Sequence, residues 1–499
     1  MVLRLVDCSL VSPPQAGPDG RSRYVLLETL RAYGAGLLAR TGEDAGAAAA
    51  LAGYAVRVAE QAAAGLRTST GEVAAARWLD AEDATMRQVL AWALAHDPAV
   101  ALRVAVALGW WWYLRGRLAG QYPLLEEAAG HAEPGSDGWC AAQFWLGWAS
   151  LFAADLPRAL GHFTAARDAM QGRGPSHLLA DILASRSSTL LNMGQNAEGA
   201  EDGRRALAMA RELGDPAGEA MALGKLSLAA LYRGDYDEAV RLGRLQQQIT
   251  GAVPAVIRDG SRVLIQALIE AGDLAGAQGV CAAALARCRE VGDVRSLPYL
   301  VMLMADLDLR AGRIKDAAGQ VREGLQIAAR AGNWFDVFNG LWWCGFVCMA
   351  TGLYAEAVTV WAADTALTQD GGLGPDGTPG DARRRQQALR KARQELGAER
   401  ARAAEARGAA MSLAAAAEYA LMLTDLGPHQ PPAAGAGKLS ARERELVTLV
   451  ARGRTDAQIA AQLYISIRTV RSHLDRIRDK TGCRRRADLT RLALAEELL

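Results

Sequence analysis

The chain has 499 residues, of which 51% are hydrophobic and 22% are charged, and its formal net charge is +1. Such a length and composition predict a soluble protein of two to four domains with sizeable cores. Because Arg4 and Asp7 interrupt the only apolar patch at the N-terminus, a secretory signal peptide is excluded and we expect a cytoplasmic protein.

The cysteines and the longest uncharged stretch point to neither a metal site nor a membrane span. The seven cysteines contain no Cys-x-x-Cys pair, which favours reduced thiols. Cys344 and Cys348 would share a helix face, but no further metal ligands accompany them. Residues 337–355 carry no charge, yet they include Asn339, Thr351 and three glycines and are in phase with the repeats described below. We therefore predict a buried helix there and no membrane contact.

The first predicted element in chain order is Arg23–Tyr33, which reads RYVLLETLRAY. It resembles the segment that follows the nucleotide-binding and winged-helix parts of large ATP-binding LuxR and AfsR-like (STAND) regulators. The resemblance continues at residues 78–80, 86–87, 90–94, 109–116, 410–413 and 418–421. It implies that residues 1–45 are the remnant of a winged helix and that residues 46–135 are a helical segment leading into repeats.

In that family an ATPase domain would precede Met1, which leaves two alternatives: a truncated or wrongly assigned start, or a regulator that has lost its ATPase. No P-loop replaces it, since Gly224-Lys225 and Gly437-Lys438 are each followed by leucine instead of Ser or Thr. Residues 372–377 match G-x-G-x-x-G, but they lie in a Gly/Pro loop with no strand before it. We expect no cofactor, and without an H-E-x-x-H or G-x-S-x-G motif we expect no enzymatic activity.

Residues 136–367 are predicted to be an array of helical hairpin repeats. A small residue and a short polar loop followed by a new helix recur at spacings of 38, 40, 40, 38, 40 and 40 residues. These turn positions are Gly116, Ala154, Gly194, Gly234, Gly272, Gly312 and Gly352. Because neither helix of a hairpin buries its apolar stripe alone, the units are predicted to stack into a right-handed superhelix of the tetratricopeptide type.

The first helix of each hairpin is predicted to line the concave surface of this superhelix. Its aromatic residues, such as Trp110, Trp145 and Trp148, are interpreted mainly as core between repeats. Buried polar groups need partners, so polar residues in the same helices are better candidates for an effector pocket. The candidate effector-binding residues are Trp112, Arg186, Asn192, Gln266, Asp306 and Asn339.

Three connecting segments follow the repeats. A Gly/Pro loop at residues 368–380 precedes a basic helical cap at residues 381–425. The arginine-rich part of this cap is interpreted as the solvated face of a helix that closes the array, with nonspecific DNA contact as the alternative. Residues 426–437, rich in Pro, Gly and Ala, are predicted to be a flexible linker.

Residues 438–499 are predicted to form a four-helix DNA-binding domain. Ser440 and Glu443 have the spacing of a capping box at the start of a first helix, which Gly453 would end. A second helix would end near Leu463, and Ser466 would cap a third helix that runs to Lys480.

This arrangement is typical of a helix-turn-helix, whose second helix enters the major groove. The segment carries a formal charge of +6, against −5 for residues 1–437, so positive charge is concentrated where DNA phosphates would lie.

Four short motifs in this domain carry a resemblance to a known family. They are LSARE at 439–443, GRT at 453–455, IA at 459–460 and TVRSH at 469–473. The segment resembles the C-terminal DNA-binding domain of LuxR-type regulators. The resemblance implies that Arg468 and Thr469 contact the DNA backbone and that Arg471 and Ser472 face bases. The candidate DNA-binding residues are Thr455, Ser466, Arg468, Thr469, Arg471, Ser472, Asp475 and Arg476.

Two positions depart from the LuxR-type pattern: Asp475 replaces a commonly basic residue, and Cys483 replaces valine. A carboxylate at position 475 repels phosphate but accepts a hydrogen bond from cytosine N4, so the base preference of relatives does not transfer. The resemblance also implies that a fourth helix, residues 486–498, forms a homodimer interface.

We predict an all-α transcription regulator that binds double-stranded promoter DNA, contacts RNA polymerase and senses a small-molecule or protein effector through its repeats. Two alternatives are kept: a repeat scaffold for protein interactions with a vestigial DNA-binding module, and a truncated portion of an ATP-dependent STAND regulator.

Overall fold

The computed structural model describes residues 2–17, 21–250, 260–373, 377–426, 439–451, 454, 456–463, 465–481, 483, 488–489 and 492–493. The predicted all-α fold class is confirmed. Helices make up nearly all of the regular structure in these residues, and the only strands among them are two residues long.

The elements follow in chain order. The N-terminal elements are α1 (Val2–Asp7), β1 (Gln15–Ala16), β2 (Ser22–Arg23), α2 (Glu28–Thr41), α3 (Asp44–Leu66), α4 (Glu72–His96), α5 (Pro98–Leu114), a 3-10 turn (Leu118–Gln121) and α6 (Tyr122–Gly130). The central elements are α7 (Asp137–Phe152), α8 (Leu156–Ala169), α9 (His177–Asn192), α10 (Asn196–Glu212), α11 (Pro216–Arg233), α12 (Tyr236–Thr250), α13 (Ser261–Glu270), α14 (Leu274–Val291), α15 (Leu297–Arg310), α16 (Ile314–Arg330), α17 (Trp334–Ala350) and α18 (Tyr354–Asp370). The last elements are α19 (Pro379–Leu396), α20 (Ala398–Ala409), α21 (Leu413–Leu423), α22 (Ala441–Ala451), α23 (Asp456–Leu463) and α24 (Ile467–Thr481).

The N-terminal segment holds the only strands described. β1 and β2 pair antiparallel, with Gln15 opposite Arg23, and Val11 forms an isolated bridge with Leu26. Neither α1 nor α2 contains a buried residue. The origin of residues 1–45 in a winged helix stays a prediction.

The predicted repeat turns adopt one backbone conformation. All seven turn positions, from Gly116 to Gly352, have left-handed φ angles between 62° and 87°. Glycine adopts this region without steric cost, which ends one helix and lets the chain reverse into the next. An aspartate often follows and caps the second helix, as where Asp155 Oδ1 accepts a hydrogen bond from the Arg158 amide at 3.0 Å. The structure thereby confirms tetratricopeptide-like helical hairpins.

The chain divides into two compact units. The first unit comprises Met1–Leu231, Asp235–Ala267 and Ala283–Ser296, and the second comprises Tyr232–Gly234, Leu268–Ala282 and Leu297–Leu499. In the first unit the predicted aromatic core is present, with the rings of Trp110 and Trp145 centred 4.8 Å apart. Gly109 permits this packing, because a Cβ at that position would lie 2.0 Å from the Trp145 ring.

The first unit also closes on itself. The Val294 amide donates to the Leu114 carbonyl at 2.9 Å. Arg115 Nη1 donates to the carbonyls of Val291 at 2.9 Å and Gly292 at 2.7 Å. The loop before α15 thus meets the end of α5, although almost 180 residues separate them. We call these contacts the ring closure.

In the second unit, the arginine-rich cap consists of two helices, α19 and α20, separated at Gly397, which has a φ of 76°. Val358 of α18, Ala392 of α19 and Ala404 of α20 share a small core. Arg385 is an exception to the predicted solvated face of this cap. It is 3% exposed, forms an ion pair with Asp364 at 3.0 Å and lies over the Trp342 ring.

Within the residues that the structure describes, no helix is both long enough and apolar enough to cross a membrane. All seven cysteines are free thiols.

Candidate functional site

The candidate DNA-binding segment begins with the predicted capping box. Ser440 Oγ accepts a hydrogen bond from the Glu443 amide at 3.2 Å, and Glu443 Oε2 accepts one from the Ser440 amide at 2.8 Å. These two bonds satisfy amide groups that the first turn of a helix leaves unpaired. α22 accordingly starts at Ala441.

The next two helices have the lengths and the cap expected of a helix-turn-helix. α23 has 8 residues and ends at Leu463, as predicted. Ser466 Oγ accepts from the Thr469 amide at 3.1 Å and so caps α24, which has 15 residues. Val470, Leu474 and Ile477 of α24 are buried in one core with Leu446 and Ile459 of the other two helices.

Burial of this apolar stripe places the polar residues of α24 on the opposite surface. Arg471, Ser472, Asp475 and Arg476 are exposed, and Thr469 is half-buried. We call these five residues the reader face. The spacing of Arg471, Ser472 and Asp475 at i, i+1 and i+4 keeps them on adjoining parts of one helix surface.

Two ion pairs involve the reader face. Arg471 Nε lies 3.4 Å from Asp456 Oδ2 of α23, and Arg478 Nη1 lies 2.8 Å from Asp475 Oδ1. Both pairs are largely exposed, so each contributes little stability and is easily exchanged for a contact with DNA. The Asp475 carboxylate, whose presence departs from the LuxR-type pattern, is therefore partly neutralised within its own helix.

A further ion pair fastens the helix that carries the reader face. Lys480 Nζ lies 2.7 Å from Glu443 Oε1 and 2.9 Å from Oε2, which joins the end of α24 to the start of α22. The hydrogen bond from Lys480, together with the one from the Ser440 amide, lowers the pKa of Glu443 to about 2. Sequence reasoning missed this pair, because the two residues are 37 positions apart and no local pattern links them.

Several predicted features lie outside the described residues. They are Thr455, Gly453, residues 427–437 of the linker and most of the fourth helix, residues 486–498. The backbone of Arg468 belongs to α24, but its side chain is not described. Of the fourth helix, Leu489, Leu492 and Ala493 are described, and they are buried in the same core as α24.

The candidate effector residues lie in both units. In the first unit, Arg186 is buried, forms ion pairs with Asp202 and Glu198, and donates to Thr164 Oγ1 at 3.0 Å. Asn192 and Gln266 are half-buried and have interaction partners.

In the second unit, Asp306 pairs with Arg384 and accepts from Arg310 Nε at 2.9 Å. Asn339 donates to the Phe335 carbonyl and to Asp336, each at 3.2 Å. Polar groups of Arg186, Asp306 and Asn339 are thus already engaged within the protein.

Trp112 is the candidate effector residue that lines a cavity. This cavity, in the first unit, has a volume of about 550 Å³. Its apolar wall includes Met86, Leu90 and Trp111, and its polar lining includes Asp83, Arg87 and Arg117. Arg117 pairs with Asp83 at 3.1 Å and lies 5.1 Å from the centre of the Trp111 ring.

Comparison with known proteins agrees with the resemblance of the C-terminal segment. Residues 437–493 match the family described as "Bacterial regulatory proteins, luxR family". The "Oxygen regulatory protein NreC" of Staphylococcus aureus (strain JH9) is 38% identical over 61 residues, which cover 12% of this chain and 28% of that protein.

A longer similarity reaches into the repeats. The "Putative HTH-type transcriptional regulator Rv0890c" of Mycobacterium tuberculosis (strain ATCC 25618 / H37Rv) is 27% identical over 365 residues, which cover 69% of this chain and 38% of that protein. The protein Mb0914c of Mycobacterium bovis matches with the same identity and coverage. The chain therefore spans well under half the length of these curated relatives.

Two solved structures superpose in part on this chain. A Rap protein complexed with Competence and Sporulation Factor superposes with a TM-score of 0.44 at 12% identity, covering 68% of this chain and 98% of that one. The STAND protein with a tetratricopeptide repeat sensor PH0952 from Pyrococcus horikoshii gives a TM-score of 0.37 at 12% identity, covering 79% and 57%.

Proposed function

We propose that this chain, whose residues 437–493 match the LuxR family, is a transcription regulator that reads promoter DNA through α24. The observation that carries the proposal is the reader face, a set of exposed polar and basic residues on a helix whose other side is buried. An α-helix of this kind fits the major groove, where arginine and serine side chains reach base edges. The similarity to regulators that contain a helix-turn-helix supports the same function.

Binding of the full chain to the DNA upstream of its own gene, measured across a salt series, tests this proposal. We expect specific binding whose affinity falls steeply with salt, because arginines displace counterions from phosphates. A duplex of the same length and scrambled sequence is the control. Absence of binding even at low salt would contradict the proposal and favour a repeat scaffold with a vestigial DNA-binding module.

Within this function, the roles of single residues follow the LuxR-type pattern. Arg471 and Ser472 face base edges, whereas Arg468 and Thr469 hold the DNA backbone, and Thr455 and Ser466 are further candidate DNA-binding residues. Asp475 and Arg476 border this contact. Two copies pair through residues 486–498 and present two reader faces to two half-sites, and the bound dimer contacts RNA polymerase.

The repeat array is the proposed sensor, in which a small-molecule or protein effector changes the availability of the DNA-binding domain. Engaged polar residues such as Arg186 hold neighbouring helices together, and Trp112 offers an apolar cavity wall. To test sensing, DNA affinity is measured for the full chain and for a chain that lacks residues 1–430. Each measurement is made with and without cell extract. An unchanged affinity and an unchanged response in the shortened chain would contradict a sensor role.

A further inference from the structure

The first helix of the arginine-rich cap, α19, carries an unbroken stretch of positive charge. Residues 382–394 contain six arginines and lysines and no acidic residue, although the whole chain holds 56 basic and 55 acidic residues. The high arginine content of the chain therefore does not account for this stretch. Like charges at helical spacing repel each other and lower the stability of a helix, so the stretch needs another reason.

Three of these six cations are used within the fold. Arg385 is buried, and Arg384 pairs with Asp306 of α15. Arg393 pairs with Glu405 of α20 at 2.8 Å. Together with the small core that α19 shares with α18 and α20, these contacts fix which side of the helix lies against the protein.

The other three cations lie on the opposite side of α19. Arg383, Arg390 and Lys391 are exposed, and in the described part of the chain their side chains have no ion pair or hydrogen bond. With 3.6 residues per turn, they share an arc of about 140° with three exposed glutamines and no acid. We call these six residues the basic face: Arg383, Gln386, Gln387, Arg390, Lys391 and Gln394.

The basic face lacks the acidic neighbours that accompany exposed arginines elsewhere in the repeats. Arg241 of α12, for example, pairs with Glu238 three residues earlier at 2.6 Å. The positions four residues after Arg383 and Arg390 hold glutamines instead. The nearest acid on the exposed side, Glu395, lies outside the arc and forms no ion pair with the basic face among the residues described. A face that only needed to be solvated would gain nothing from the loss of such pairs.

The donors of the basic face match the phosphate backbone of duplex DNA. Arginine, lysine and glutamine side chains donate hydrogen bonds to phosphate oxygens without reading the base sequence. Arg383 and Gln394 are eleven residues apart, so the face is about 16 Å long. Duplex DNA carries about ten phosphate charges over this length.

We propose that the basic face of α19 is a second DNA contact, which binds the phosphate backbone beside the site that the reader face reads. The inference rests on the proposed regulatory function and deepens it, because it assigns part of the DNA affinity to the cap of the repeat array. The cap is then more than the solvated face expected from sequence.

The length of chain between the two surfaces suits a joint contact. Residues 426–437, predicted from sequence to be the linker, span at most about 40 Å. This distance corresponds to about 12 base pairs of duplex DNA. Binding at one surface therefore raises the effective concentration of nearby DNA at the other, and the affinity of the whole chain exceeds that of either contact.

The test compares the full-length wild type with two triple variants, each of which loses three positive charges. The first variant changes the basic face by Arg383→Gln, Arg390→Gln and Lys391→Gln. The second is the matched control and changes exposed cations of α12 and α16 by Arg244→Gln, Lys315→Gln and Arg330→Gln. Thermal unfolding of both variants is expected to match that of the wild type, because all six side chains are exposed.

Fluorescence anisotropy measures the affinity of each protein across a salt series for two duplexes from the region upstream of the gene. The short duplex is the shortest that retains full specificity, and the long duplex extends it by about 20 base pairs on each side, beyond the reach of the linker. Scrambled duplexes of both lengths are included.

On the long duplex, the first variant is expected to bind at least about tenfold more weakly than the wild type. Its plot of log affinity against log salt is expected to be shallower by about 2–3 per bound chain, since each lost phosphate contact removes about 0.9 from the slope. The control variant is expected to match the wild type on the long duplex. On the short duplex all three proteins are expected to bind alike.

Equal salt slopes for the wild type and the first variant on the long duplex would overturn the proposal. An equal loss in the control variant would also overturn it, because net charge alone would then be the cause. In both cases, specific binding to the short duplex would leave the proposed function intact.

Failure of the proposed function has a different signature. A wild type that binds promoter and scrambled long duplexes equally, with a slope that falls in the first variant alone, would confirm the second contact and contradict promoter reading. A wild type that binds neither long duplex at low salt would overturn both.

Discussion

Arg471 is the residue of the reader face that we expect to read a base. Its side chain is 71% exposed and meets the Asp456 carboxylate at 3.4 Å, a weak contact that DNA readily replaces. Arg471→Ala is expected to weaken binding to the specific site by about 1–3 kcal/mol and to relax the preference at one base pair.

Fluorescence anisotropy measures the affinity of each variant for a panel of duplexes that differ from the site at single base pairs. Two further variants serve for comparison. Arg468→Ala is expected to weaken all duplexes alike, as the loss of a phosphate contact does. Arg330→Ala, at an exposed position at the end of α16, is expected to change nothing. A uniform loss with Arg471→Ala would show that this residue holds the backbone and does not read a base.

Glu443 should make the stability of the DNA-binding domain depend on pH. Its pKa in the folded protein is about 2, below the ordinary value of 4.5. The unfolded chain therefore binds the proton more readily, and the stabilising ion pair with Lys480 is fully present above pH 4.5 and lost as the pH falls towards 2. At pH 7, Glu443→Gln is expected to lower the free energy of unfolding of this domain by about 1–3 kcal/mol.

Hydrogen exchange of the α22 amides in the full chain measures this effect. The matched control is Glu445→Gln, whose exposed carboxylate pairs with Arg442 three residues earlier, at 2.7 Å, and contributes little. The difference between Glu443→Gln and the wild type should shrink as the pH falls towards 2. A constant difference at all pH values would contradict the role of the charge.

Among the helical hairpins, the turn before α8 departs from the others. Six of the seven turns use glycine in the left-handed conformation, whereas the seventh uses Ala154, with a φ of 62°. The alanine Cβ makes this conformation unfavourable. Ala154→Gly is therefore expected to stabilise the protein by about 0.5–1 kcal/mol, despite the greater freedom of glycine in the unfolded chain.

The reverse substitution at an equivalent turn is the natural control. Gly194 has a φ of 78°, and Gly194→Ala is expected to destabilise the protein by about 1 kcal/mol. Denaturant unfolding measures the free energy of unfolding of both variants relative to the wild type. If both substitutions move stability in the same direction, backbone strain is not the cause.

The elements were predictable where their signals are local. A turn glycine, a capping serine and an apolar stripe each act within a few residues, so the hairpins and the ends of α23 and α24 follow from the sequence. The ion pair of Lys480 with Glu443 and the burial of Arg385 against Asp364 depend on which helices meet in space.

For the first unit as a whole, Arg115 provides two of the hydrogen bonds that form the ring closure. It donates to the carbonyls of Val291 and Gly292 and pairs with Asp80 at 2.7 Å. Arg115→Met would leave these partners without a donor, and the free energy of unfolding of this unit is expected to fall by about 2–4 kcal/mol.

Hydrogen exchange in the loop at residues 291–296 is the measurement that isolates this effect. The control is Arg103→Met, which removes an exposed ion pair between α5 and Glu60 of α3 and should change stability by less than about 1 kcal/mol. Unchanged exchange in the loop of Arg115→Met would show that the remaining contacts hold the ring by themselves.

The ring closure also restricts how the first unit can unfold. The hydrogen bonds of Arg115 and Val294 join the loop at residues 291–296 to the end of α5. In an open array of repeats, a terminal hairpin can unfold while its neighbours stay folded. Because the two ends are joined here, the hairpins between them are expected to unfold together, which would protect this part of the chain from proteases that cleave locally opened segments.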